Sequence, residues 1–176
     1  MPIDNRLWHH IVVTTYGAWV RGDPRGFRTR HHREHVDGDY KSPPPIGYYA
    51  NEEAYSRRHL KQGVVSIPRE LRSVIGTAIR MRLTELGAMP ICVAVAAQHA
   101  HVLAKLPLGM AREWTGFAKR HAWFVARDHG WRGKLWAVRS HAKLVRTRSH
   151  QLATFRYIVR HRDEGAWIWL IDRPER

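Results

Sequence analysis

Two apolar runs, PICVAVAA (90–97) and HVLAKLP (101–107), set the centre of this chain. Neither is long enough for an ordinary helix, and a segment apolar at nearly every position suits a strand covered on both faces. The first run therefore reads as a buried central strand. The second continues it as the same strand or as a paired neighbour, closed by Pro107. Around this centre the pattern alternates. LWHHIVVTTY (7–16) is rich in β-branched and aromatic residues and reads as a first strand. From Pro68 onward Leu71, Ile75, Ala78, Ile79 and Leu86 recur at helical spacing, and Gly87 ends the run. Residues 110–128, carrying Met110, Trp114, Phe117, Ala118 and Phe124, give a second expected helix. DHGWRG is a turn and KLWAVRS (134–140) a strand. Ser149 suits the N-cap of a last helix with Leu152, Phe155, Ile158 and Val159 as its apolar positions. AWIWLID, near the end, is short, apolar and expected to be extended.

Residues 21–66 interrupt this order. They are full of Gly, Pro, Asp and His and hold no lasting period, so they read as a loop-rich, partly ordered insertion on one edge of the domain. Strands interleaved with helices that cover an antiparallel sheet give an α+β fold, one domain over 1–176. Hydrophobic residues make up 44% of the chain, enough for a core. No run of about 18 apolar residues is present, so no membrane span is expected. The N-terminal residues lack the regions of a secretory signal, which predicts a cytoplasmic protein. The lone cysteine, Cys92, lies in an apolar run and reads as a buried thiol in a reducing compartment.

Charge narrows the partner. Thirty Lys and Arg against fifteen Asp and Glu give +15, and a polyanion is the obvious counterpart. Residues 111–162 hold thirteen basic positions opposed only by Glu113 and Asp128. Among them Lys119, Arg120, Arg146, Arg148, Arg156 and Arg160 are the candidate nucleic-acid contacts. Trp19 and Trp131, close to Gly and Arg, are candidates for stacking on bases. His31, His32 and His35 have no fourth zinc ligand at suitable spacing and read as a solvated or phosphate-contacting loop. P-loop, dinucleotide fingerprint and nucleophile elbow are all missing. Charge by itself indicates nucleic acid and leaves open whether the protein is an enzyme.

Chemistry enters with Gln98-His99-Ala100-His101. Alternate residues of an extended segment point to the same side, so both imidazoles can face one point. Two converging nitrogens make half of a divalent-metal site. Five of the six tyrosines precede this pair; only Tyr157 follows it, in FRYIVRH within the last expected helix. His161 lies four residues on, one turn away and on the same face, placed to be a third ligand. A phenol near a metal and several guanidinium groups loses its proton more easily and can attack a phosphodiester.

HAHVLAKLP behind an apolar strand resembles the His-hydrophobic-His (HUH) motif of single-tyrosine transposases, including REP-associated and small insertion-sequence transposases. The similarity covers about residues 6–20 and 68–170, with WTGFAKRHAWFVARDHGWRGKLW resembling the family's helix and following strand. The chain order, His pair first and a helical Tyr later, is that of the transposases. Where family members carry Asn or Gln four residues after the tyrosine, this chain has His161; Gln98 replaces Asn before the pair, and Ala100 is a small central hydrophobe. The insertion has no counterpart in the minimal pattern.

The resemblance implies a ferredoxin-like antiparallel sheet of four or five strands with helices on one face, the His pair on a central strand and the Tyr157 helix beside it. It implies Mg²⁺ or Mn²⁺ held by His99, His101 and His161, with Tyr157 as nucleophile. It also implies a single-stranded DNA substrate with hairpin or palindromic ends, cut and rejoined through a 5′-phosphotyrosine. A nucleoid-associated monomer or homodimer follows from this. A catalytically inactive or domesticated nucleic-acid-binding protein of the same fold is the alternative, and a structural RNA-binding protein a third.

Overall fold

The computed structural model describes residues 5–25, 45 and 47–172. In chain order the elements are β1 (Arg6–Thr15), α1 (Ala50–Arg58), α2 (Arg69–Glu85), β2 (Met89–Val95), β3 (His99–Pro107), α3 (Ala111–Asp128), β4 (Trp136–Leu144), α4 (Arg148–Arg160) and β5 (Trp167–Leu170). The five strands form one antiparallel sheet in the order β4-β1-β3-β2-β5. The α+β class expected from the sequence is the one observed. The two apolar runs are paired neighbours, not one strand, with β3 at the centre of the sheet.

Strand alternation sorts the side chains. Ala100, Val102, Ala104 and Leu106 of β3 join Val93, Val95, Ile11 and Val13 in the larger core. Ile75, Ala78, Ile79 and Leu83 of α2 and Ala118, Ala122 and Ala126 of α3 close over that face. The alanine row lets α3 lie close to its neighbours. On the other face Cys92, Ala94 and Leu103 pack with Val145 and with Ile158 of α4. The helices are thus shared between the two faces, where the resemblance implied one. The reason lies in β2 and β3 themselves, whose residues are apolar on both sides and need cover on both. Cys92 is fully buried, and burial pushes its thiol up to about 12.

Several expectations shift in detail. The insertion contains α1, a nine-residue helix that buries none of its residues and so leaves no periodic apolar signal. Its N-terminal half lies close against the chain after β1: a Cβ on Gly22 would stand 2.2 Å from the Glu53 nitrogen, and its φ of +87° also favours glycine. His31, His32 and His35 fall within residues 26–44, which with residue 46 lie outside the described residues. The far end of the insertion is pinned to the sheet, because the Thr15 hydroxyl and the Tyr16 carbonyl both bond the backbone of Val65. β4 extends to Leu144, four residues past the expected end. The N-cap of α4 is Thr147 rather than Ser149: its hydroxyl accepts from the His150 N–H at 3.1 Å, and a helix that starts at Arg148 has its cap one residue earlier. Among the described residues no helix is long and apolar enough to cross a membrane.

Candidate functional site

β3 begins at His99 because the preceding turn is tied on both sides. The Gln98 carbonyl accepts the Thr15 N–H at 2.9 Å, and the His99 carbonyl accepts the Ala96 N–H at 2.9 Å. Alternation then sends Ala100 and Val102 into the core under α2 and α3. His99, His101 and Leu103 project to the face that carries α4. From α4 the residues at helical spacing Gln151, Thr154, Ile158 and His161 are buried against the sheet. His161 caps the helix C-terminus and reaches the same point as the strand histidines.

The rings of His99 and His101 have centroids 4.8 Å apart, His101 and His161 4.5 Å, and His99 and His161 5.1 Å. One ring nitrogen from each lies within 4.8 Å of the others, so the three histidines are close enough to hold a metal ion. His101 and His161 are buried and His99 half-buried. Their hydrogen bonds indicate which nitrogens are available. His161 Nδ1 lies 3.1 Å from the Tyr157 carbonyl; a carbonyl only accepts, so Nδ1 carries a proton and Nε2 is the nitrogen left for a ligand. His99 Nε2 is buried without a hydrogen-bond partner. An orphaned buried nitrogen is costly unless something else satisfies it, and a divalent cation does so. Burial, reinforced by the neighbouring imidazoles His99, His161 and His10, lowers His101 to about 2, and burial lowers His99 as well. Metal binding requires neutral imidazoles, so the donor set fits a divalent ion.

Tyr157 stands at the rim of this cluster. It is 42% exposed, with its ring centroid 4.9 Å from that of His161 and 5.4 Å from that of His101. The ring therefore faces the histidines on one side and solvent on the other, a placement open to a large substrate. Arg156 and Arg160 flank it, exposed on the same helix. Arg146 and Arg148 are exposed where β4 passes into α4, and Arg148 also donates to Gln151 Oε1 at 2.6 Å.

Two of the expected basic contacts are elsewhere. Lys119 and Arg120 belong to α3, across the sheet from Tyr157. Lys119 donates from Nζ to the carbonyls of Ala137 (2.7 Å) and Val138 (3.0 Å), and burial lowers its pKa. It ties α3 to β4. Arg120 is exposed beside Arg112, on the outer side of α3. Of the stacking candidates, Trp131 packs against the larger core, whereas Trp19 is 48% exposed with Arg25 stacked 4.4 Å over its ring.

Sequence reasoning missed one participant. His10, on β1, stacks on His101 with ring centroids 5.2 Å apart, and its Nε2 lies 3.1 Å from His101 Nδ1. Its ring is 5.9 Å from that of Tyr157. Burial first, then His141, His150, His161 and Lys143, lowers His10 to about 4. The signal was present in the strand pattern: β1 and β3 are antiparallel neighbours, and His10 faces the same side as His101 once Val12 pairs with it. His141 and Lys143 of β4 share this face through their pairing with Val12 and His10. The sheet face beside Tyr157 is therefore basic, with His141 and Lys143 exposed on β4. No protein-family model and no curated protein matches the sequence.

Proposed function

We propose that this protein cuts and rejoins single-stranded DNA as a transposase does, with Tyr157 as nucleophile and Mg²⁺ or Mn²⁺ held by His99, His101 and His161. The observation that carries this reading is the meeting of three imidazole nitrogens within 4.8 Å beside a half-exposed tyrosine. The HUH-like order of these residues along the chain agrees with it. When bound, the ion polarises the scissile phosphate and offsets the charge that develops on it. His99 and His101 supply its neutral ligands from one strand, and His161 supplies the third from the helix that also bears the nucleophile. The one-turn link between Tyr157 and His161 would hold the phenol beside that ligand.

The Tyr157 hydroxyl oxygen attacks phosphorus and gives up its proton to solvent. The bond from phosphorus to the 3′ oxygen breaks, and that oxygen takes up a proton as a free 3′-hydroxyl. The 5′ side remains as a phosphotyrosine ester, which a later 3′-hydroxyl reverses by the same displacement. Because the ester conserves the bond, no nucleotide cofactor is needed. Arg156, Arg160, Arg146 and Arg148, with the exposed Lys143 and His141 of β4, form the track for the sugar-phosphate backbone. A duplex hides the in-line approach, so the substrate is a flexible strand beside a hairpin or palindromic end. Such a substrate places the protein at the nucleoid, as monomer or homodimer.

The test is an adduct assay. The protein is incubated with Mn²⁺ and single-stranded oligonucleotides bearing palindromic ends drawn from DNA flanking its gene, then run under denaturing conditions. A covalent protein–DNA band that disappears in Tyr157→Phe supports the reading. Strand binding with no adduct under any metal would replace it with a non-cleaving nucleic-acid-binding protein.

A further inference from the structure

We propose that His10 is a positioning residue for the metal site: its Nε2 accepts a hydrogen bond from His101 Nδ1–H and so presents His101 Nε2 to the ion. This rests on the metal reading given above and names a residue outside the three ligands. His101 Nδ1 faces His10 Nε2 at 3.1 Å, and a lone pair engaged with a hydrogen-bond donor does not also bind a cation. His101 therefore coordinates through its other nitrogen. For Nε2 to carry a free lone pair the ring proton must sit on Nδ1, and His10 is then the acceptor. His10 itself is outside the set of three whose ligand atoms lie within 4.8 Å of one another.

The arrangement repeats what the structure gives His161, whose Nδ1 proton is held by the Tyr157 carbonyl. Two of the three ligands are thus oriented from behind. One is held by α4's own backbone and the other by β1 through a side chain 91 residues away. Ring stacking at 29° between planes and 5.2 Å between centroids adds a second restraint on His101. Partners of this kind fix both tautomer and ring orientation of a ligating histidine, and losing one costs about 10- to 100-fold in metal affinity.

Three full-length proteins test this: wild type, His10→Phe and His10→Gln. Phe keeps the stacked ring and removes the acceptor; Gln places an amide oxygen near the position of Nε2 and restores it. Mn²⁺ binding is measured by calorimetry, and the His101 tautomer by ¹⁵N NMR of the metal-free protein. The expected result is about 10- to 100-fold weaker Mn²⁺ binding in His10→Phe, with His10→Gln recovering most of the loss. His101 should be protonated on Nδ1 in the wild type and shift toward the Nε2–H form in His10→Phe. A purely structural role would leave the tautomer unchanged. Equal Mn²⁺ affinity and equal tautomer in wild type and His10→Phe would overturn the assignment of His10 while leaving the metal site standing. A wild type that binds no Mn²⁺ would overturn the metal site and this inference with it.

Discussion

Acidification should destabilise the metal-free protein through its buried histidines. His101 is 4% exposed, and its pKa falls from 6.5 to about 2 on folding, chiefly by desolvation. Because the folded value is the lower one, the unfolded chain binds the extra proton, so stability is complete above the unfolded pKa and is lost as pH falls through it. From about pH 6.5 to about pH 5 the unfolded state takes up nearly one proton that the folded state refuses. At about 1.36 kcal/mol per pH unit this amounts to roughly 2 kcal/mol. His10, lowered to about 4, acts with the same sign and adds less, since it is partly open to water. For a chain of this length the His101 contribution alone moves the melting midpoint down by roughly 4 to 8 °C. The assay is thermal and urea unfolding of the metal-free protein at about pH 7.5 and about pH 5, with His101→Gln beside the wild type. The variant's loss on acidification should be smaller by about 2 kcal/mol, because its residue 101 cannot titrate. Added Mn²⁺ should stabilise the wild type at the higher pH, by about 2.7 kcal/mol at a hundredfold excess over Kd, and much less at the lower, where protons compete for the ligands. A wild-type midpoint that is flat or rises on acidification, or a variant with the wild-type pH slope, would refute the burial argument.

Three further outcomes follow from the packing and the charge. Gly76→Ala should destabilise by about 1 to 3 kcal/mol, because the added methyl would stand 2.2 Å from the Trp167 ring and α2 must move off β5; a urea titration reads it. Binding to a single strand should weaken steeply with salt, with log K falling by about 0.7 per neutralised phosphate for each unit of log salt. Reversing Arg156 and Arg160 to Glu should weaken binding strongly, while Arg120→Glu, across the sheet, should change it little; equal losses would place the strand elsewhere.

The parts of this fold that were legible in the sequence are those with a short period. The i,i+2 spacing of His99 and His101 and the i,i+4 spacing of Tyr157 and His161 each fix a shared face without reference to the rest of the chain. Strand and helix positions in 68–128 were legible for the same reason, since their apolar residues face the core. What escaped depends on pairing or on surface. His10 meets His101 only through the register of β1 on β3. α1 buries none of its residues, so nothing in its sequence had to be periodic. The end of β4, HAKL, alternates between an exposed basic face and the core, so it carries no continuous apolar run to extend the strand past residue 140. Lys119 looks like any exposed helix lysine until the carbonyls of Ala137 and Val138 are seen to hold it.

The claim on which the account rests is that Tyr157 becomes covalently attached to DNA. It is tested by digesting the denatured product of a Mn²⁺ reaction with protease and nuclease and locating the retained nucleotide by peptide mass spectrometry. A nucleotide 5′-phosphate should be found on the peptide containing Tyr157, present only with metal and lost in His99→Ala together with His101→Ala. Cleaved DNA with an unmodified Tyr157 peptide would contradict it, and would make water or another side chain the nucleophile.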